Sequence, residues 1–270
     1  MTAQFETYHG AGDKAHHGFD GPVHISQGSH VFEAARDDLL DAAARSGWSE
    51  KRDLQSMQAD AVHGVQRALR YVSPEGIRQD SATCFLHPRL ENGDKHPNLH
   101  VLVESEVAKV IFEDSRAVGV TYRTATGEER EVRASKLVVL SSGAFGSPAI
   151  LERSGIGSSG VLRGAGVPII QELPGVGNNY MDHNMAVYAY RTSFGPDETL
   201  DAVASGRLDI EELIRNKSSL LGTNSQDLNI KGRPSESEVK ALGPQFEKGW
   251  NDAFRDNPQK PLVLMSAVER

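Results

Sequence analysis

The chain has 270 residues, 38% of them hydrophobic and 24% charged, and its net charge is −8. This is ordinary globular composition, long enough for one large domain or two modest ones, and it excludes wholesale disorder. The acidic balance, with Lys and Arg scattered, offers no basic field to a nucleic acid or an anionic membrane.

A single cysteine, Cys84, excludes an internal disulfide framework and reads as a small buried hydrophobe. No stretch reaches the ~20 apolar residues of a membrane span. The opening residues MTAQFETYHG lack the basic and apolar regions of a signal peptide. The tripeptide SKL (135–137) is internal and so carries no peroxisomal address. An intracellular location is the expectation, and an oligomer is compatible with the sequence.

In chain order, HHGFDGPVHIS (16–26) starts with turn residues and ends in a short strand with Val23 and Ile25 on one face. Next, Phe32, Ala35, Leu39 and Ala43 recur at helical spacing, with Gly47 placed to stop the helix. Helix and loop continue to about Ser73. Near Gly76 the character changes. NLHVLVES reads as a short apolar strand, and EVAKVIFED, RAVGVTYR and EREVRA as a meander turned at Asp114-Ser115 and Thr126-Gly127.

KLVVLSS (136–142) is nearly continuous apolar sequence, the pattern of a strand buried on both faces. It feeds a helix for which Ser147 suits the N-cap, Pro148 the first turn and Gly155 the stop. Past Asn184 the chain turns helical and charged, and PLVLMSAV supplies a last strand. The middle of the chain is therefore α/β.

The stretch GAFGSPAILERSGIG (143–157) carries the functional signal. A buried strand emptying into Ser141-Ser142-Gly143-Ala144 leaves no bulk at its tip, and glycine lets backbone approach a ligand closely. Ligands of open α/β sheets sit outside the carboxyl ends of strands, and a helix N-terminus there suits phosphate. Tight packing of helix on strand would also select small residues, so a dinucleotide site and plain packing both stand on these residues alone.

At every constrained position the same stretch resembles the second signature of the glucose–methanol–choline (GMC) flavin oxidoreductases: the small pair, Ser147-Pro148, Ile150-Leu151, and Ser154-Gly155-Ile156-Gly157. HGFDGPV (17–23) is similar to that family's His-Gly-x-x-Gly-Pro turn. IRQDSATCFLHP matches its Arg-x-x-Ser-Ala stretch at Arg78, Ser81 and Ala82, and LPGVGNNYMDH its Pro-Gly-Val-Gly loop. The motifs fall in family order and cover nearly the whole chain. The turn at 17–23 and the segment GRPSESEV…FEKGW…FRDNPQKP look most like the alcohol (methanol) oxidase branch.

The resemblance implies an α/β (α+β) chain forming part of a Rossmann-like FAD/NAD(P)-binding domain with a discontinuous substrate domain. Residues 1–75 and 184–270 would be substrate-domain segments and 76–183 an FAD-binding segment. It implies FAD as cofactor, a small alcohol as substrate, hydride transfer from alcohol to flavin, and dioxygen as acceptor. Carried over residue by residue, the backbone of Val107 would meet the adenine edge, and Ser142, Gly143 and Ala144 would lie against the cofactor.

No catalytic residue and no metal ligand is assigned. Asp182-His183 falls in a motif that is structural in the family, and His16, His17, His24 and His30 fit no metal-binding spacing. The sequence departs from the family pattern in showing neither a Gly-x-Gly-x-x-Gly turn before His17 nor the family's catalytic His. The chain alone is therefore expected to hold FAD poorly and to be inactive. The alternative is a non-catalytic fragment or pseudoenzyme unable to bind FAD by itself. A hydrolase is disfavoured because Ser154-Gly155 forms no Gly-x-Ser-x-Gly elbow.

Overall fold

The computed structural model describes residues 4–56, 58–195 and 198–268. In chain order its elements are β1 (Glu6–Tyr8), β2 (Val23–Ile25), α1 (Glu33–Arg45), β3 (Gly64–Arg67), α2 (His87–Glu91), β4 (Glu106–Glu113), β5 (Arg116–Arg123), β6 (Glu129–Arg133), α3 (Gly143–Arg153), β7 (Ile156–Gly157), α4 (Ser159–Gly164) and β8 (Gln171–Glu172). They are followed by α5 (Asp201–Ala204), α6 (Ile210–Arg215), β9 (Leu228–Gly232), α7 (Glu236–Ala241), α8 (Pro244–Ala253) and β10 (Val263–Ser266).

The chain forms two compact units. One comprises residues 1–97 and 191–270, the other residues 98–190. Residues 76–97 thus pack with the first unit, although the change in sequence character begins at Gly76.

In the first unit β1 and β2 pair in parallel, and β10-β9-β3 form an antiparallel sheet with β9 central. The core gathers Tyr8, Ile25, Phe32, Ala35, Leu54, Val65, Leu228, Val239 and Trp250. The punctuation follows local chemistry. Gly47, at φ +82°, stops α1. Asp209 caps α6 by accepting the Glu211 and Glu212 amides, and Ser235 with Glu238 makes a capping box on α7.

Two buried polar ties cross long sequence distances. Asp227 accepts the Phe32 N–H at the entry to α1 (2.7 Å) and lies 3.1 Å from the Arg70 guanidinium. His17 is held between two carboxylates, Glu6 at 3.1 Å and Asp53 at 3.0 Å, and stacks on Tyr8 with ring centroids 3.7 Å apart.

In the second unit β4, β5 and β6 form the expected antiparallel meander. Its turns contain Asp114 at φ +54° and Gly127 at φ +83°, left-handed conformations that Asp and Gly tolerate. Helix α3 packs on β4, and Gly155 at φ +84° ends it. Here a Cβ would stand 2.5 Å from the Pro168 carbonyl oxygen, so both conformation and space require glycine. Beyond it β7 pairs in parallel with β8 around α4. Val110, Ile150, Ile156 and Leu162 are the buried apolar centre.

Two expectations are corrected here. Residues 100–105 and 136–142 form no strand, Glu104 stands at φ +50°, and Val103 and Val139 are 76% and 72% exposed. Their apolar, β-branched sequences suit strands, but among the described residues no strand lies alongside to complete a ladder, and a strand exists only by pairing. Helix α3, in turn, begins at Gly143, four residues before Ser147. Gly143 turns the chain at φ +80°, and the Ser147 hydroxyl reaches back to accept the Ser142 N–H at 2.9 Å. Pro148 therefore sits inside the helix and leaves the Ala144 carbonyl without its usual donor.

Candidate functional site

Helix α3 organises all four residues singled out from the sequence. Ser142, Gly143 and Ala144 stand at its N-terminus, where the amides of the first turn have no partner within the helix. Gly143 adopts φ +80°, yet a Cβ built on it would meet nothing within 4 Å. The glycine is thus required by backbone conformation, and it leaves an open cradle over positively polarised amides. Phe145 is exposed beside it, 5.0 Å from the Tyr180 ring.

The other end of α3 clamps the edge of β4. The Ser154 hydroxyl accepts the Val110 N–H at 2.8 Å, in a buried contact. Arg153 donates to the Ala108 carbonyl at 2.7 Å and reaches the Val107 carbonyl at 3.4 Å. These residues flank an irregularity in the β4–β5 register between Val107 and Lys109. Such a bulge turns backbone polar groups out of the ladder.

Val107 does not lie against Ser142 and Gly143. It stands near the far end of α3, whose 11 residues span about 16 Å.

The other candidates sort out plainly. Asp182 and His183 are exposed, with ring nitrogen and carboxylate oxygen 3.9 Å apart. The His183 amide bonds the Asp182 carboxylate and holds its pKa below the usual carboxylate range. Both side chains are open to solvent, at 97% for His183 and 73% for Asp182. Cys84 is half-buried, more open than the sequence reading expected, and burial pushes its thiol pKa up. Such a thiol is a poor nucleophile. His30 packs edge-on against Phe32, and burial lowers its pKa. Among the described residues no group of His, Cys, Asp or Glu is disposed to hold a metal, and no helix is long and apolar enough to cross a membrane.

Two clefts, of about 350 and 460 Å³, open on the first unit and contain none of the four residues. The Glu6–His17–Asp53 tie borders the larger cleft through Asp53. Sequence reasoning isolated His17 as part of a turn but missed its partners, since nothing local distinguishes those two carboxylates from the other acidic residues. Both ring nitrogens of His17 are engaged, which makes it a structural tether.

Comparison with known proteins defines the class. Residues 2–185 match the family model described as GMC oxidoreductase. Alcohol oxidase of Candida boidinii is 34% identical over 99% of this chain and 41% of its own length. Oxygen-dependent choline dehydrogenase of Pseudomonas putida is 35% identical over 64% of this chain and 29% of its own. Formate oxidase of Aspergillus oryzae superposes with a TM-score of 0.75 at 23% identity, over 99% of this chain and 47% of that one. An FAD-dependent oxidoreductase from Chaetomium thermophilum gives 0.74 at 21% identity, over 100% and 52%.

The fold is thus the mixed helix-and-sheet architecture of these oxidoreductases. The chain belongs to the GMC oxidoreductase family. It spans about two fifths of the length of the alcohol oxidases it matches.

Proposed function

We propose that the protein is an FAD-dependent oxidoreductase acting on the CH–OH group of a small alcohol, with dioxygen as electron acceptor. Membership of the GMC family and the alcohol oxidases at 33–34% identity support this reading. The observation that carries it is the open cradle at Gly143 at the head of α3. A flavin dinucleotide fits the residues present. Ser142, Gly143 and Ala144 would present small side chains and first-turn amides to it. Val107 would meet the adenine edge through its backbone, its carbonyl already reached by Arg153. When bound, FAD supplies the hydride acceptor. This chain's own part is to seat the cofactor.

In this reading residues 76–183 are the FAD-binding segment, and 1–75 and 184–270 belong to the substrate domain. The exposed Asp182–His183 pair takes no proton-accepting role.

The test uses the protein, wild type and Gly143→Val. Wild type should retain flavin absorption through gel filtration and release peroxide with short-chain alcohols in air but not under argon. Gly143→Val should lose flavin. Retention of flavin by the variant would remove the cradle from the site. Alcohol turnover that needed nicotinamide instead would overturn the reaction class.

A further inference from the structure

Residues 87–98 are all exposed. They hold α2, which buries no residue, and a short helical turn at Gly93–Lys95. Between the two stands Asn92, in a stretch, ENGDK, that contains the chain's only Asn-Gly pair. The Asn92 side-chain amide donates to the Pro88 carbonyl at 2.8 Å and so ties off the end of α2. The Gly93 N–H, by contrast, has no acceptor among the described residues. A Cβ built on Gly93 would meet nothing within 4 Å, and the residue does not stand in the left-handed region.

These features place a nucleophile next to an electrophile. The Gly93 nitrogen and the Asn92 side-chain carbonyl carbon can close a five-membered ring. A side chain on the following residue would crowd that nitrogen, and glycine has none. The bond to Pro88 holds the side-chain amide back only while α2 is formed. A five-residue helix with no buried face is too short to hold by itself and opens locally at little cost. Other asparagines lack the pattern: Asn216 precedes Lys217, and Asn224 precedes the fully buried Ser225.

We propose that Asn92 is a site of non-enzymatic modification: deamidation through a cyclic imide, with water as co-reactant. The Gly93 nitrogen bonds to Cγ of Asn92, the Cγ–Nδ2 bond breaks, and ammonia leaves with the Gly93 amide proton. Water then opens the succinimide. Attack at the Cγ carbonyl gives aspartate. Attack at the main-chain carbonyl gives isoaspartate, in which the chain runs through the former side-chain carbonyl. One water is consumed, one ammonia is released, and nothing is oxidised or reduced. Either product carries a carboxylate, which accepts but cannot donate, so the tie to Pro88 is not remade. The new negative charge falls between Glu91 and Asp94, shortly before the first compact unit gives way to the second after Pro97. This chemistry is independent of the flavin reading.

The test is mass spectrometry on the full 270-residue chain, folded and aged at neutral and at mildly alkaline pH. Trypsin cuts after Arg89 and Lys95 and isolates residues 90–95. With time that peptide should exchange its amide for an acid and split into aspartyl and isoaspartyl forms, separable by chromatography. The rate should rise in proportion to hydroxide, because the nitrogen attacks as its anion. Gly93→Ala, which the open space and the backbone permit, should lose most of the conversion. Asn216 and Asn224 should keep their amides in the same samples.

Four results would overturn the proposal. One is an unchanged 90–95 peptide in the aged, folded chain. Another is aspartate without isoaspartate, which would replace the ring by direct hydrolysis. A third is equal conversion in Gly93→Ala. The last is conversion of Asn216 or Asn224 as fast as that of Asn92.

Discussion

Replacing Ser154 by Ala tests the joint on which the candidate site depends. The Ser154 hydroxyl accepts the Val110 N–H at 2.8 Å, and Val110 is only 5% exposed. β4 is an edge of the meander, since only β5 pairs with it, and this amide points away from that partner. Alanine removes its acceptor, and water cannot enter a buried joint to replace it. A buried donor left unpaired costs about 1–3 kcal/mol.

At about 2 kcal/mol the local opening equilibrium rises roughly 30-fold, since 1.4 kcal/mol is a factor of ten. The chain has two compact units, so a global unfolding curve would blend them. Amide exchange resolved to residues 106–113 reads the joint directly. Exchange there should accelerate roughly 10- to 100-fold in Ser154→Ala, with the first unit unchanged. Arg153→Met is the contrast. Arg153 is exposed and bonds only carbonyls, so its loss should shift exchange by no more than a surface substitution does, within about 0.5 kcal/mol. If Val110 exchanges equally in wild type and Ser154→Ala, the joint does not hold β4 and the positioning argument for Val107 fails.

Gly143→Ala meets no atom but must hold φ +80°, which costs an L-residue about 1–2 kcal/mol. Exchange at the start of α3 should rise accordingly, and an unchanged rate would mean the turn relaxes. Asp227→Ala strips the partner from the largely buried Arg70 and the acceptor from Phe32 N–H. Breaking such a pair costs about 3–5 kcal/mol. The other Arg70 contacts, to Gln27, Thr223 and Asn224, place the loss at the lower end. Tryptophan fluorescence in a urea titration reads this unit, which holds both Trp48 and Trp250, and a loss below about 1 kcal/mol would refute the tie.

Burial, and after it the Asp53 charge, push the Tyr8 phenol up from 10.0 to about 12. A raised folded pKa means that the folded state keeps its proton where the unfolded chain has lost it. The stabilisation is therefore full below pH 10 and drains away towards pH 12. Tyr8→Phe should flatten the stability profile across that window, and an identical profile would place the titration elsewhere.

What could be read from the sequence was what neighbours along the chain decide. The meander was legible because Asp114 and Gly127 mark its turns and its strands alternate. Helix α1 was legible because its apolar spacing and Gly47 are local facts. The start of α3 was misread because Ser147 has cap chemistry in either direction along the chain. It bonds the preceding Ser142 amide here, and only Gly143, reading as a ligand contact, recorded where the helix turns in. The ties Arg70–Asp227 and Glu6–His17–Asp53 left no trace, because a charge pair closed by folding carries no sequence period.

Residues 100–105 and 136–141 mark a different boundary of legibility. Their composition reads as strand, and the structure forms no strand there. No contradiction arises, because β propensity expresses fit to a pleated, half-buried surface rather than a backbone preference held in isolation. A helix closes its hydrogen bonds within its own segment, so α3 forms on what residues 143–153 provide. A strand borrows half its bonds, and Val103 and Val139 have no lender in this unit.

The candidate site inherits the same asymmetry. Its fixed parts, the Gly143 turn and the Ser154 joint, are closed by bonds local to α3 and β4 and are in place. Residues 136–142, which lead into α3, pair with no strand among the described residues.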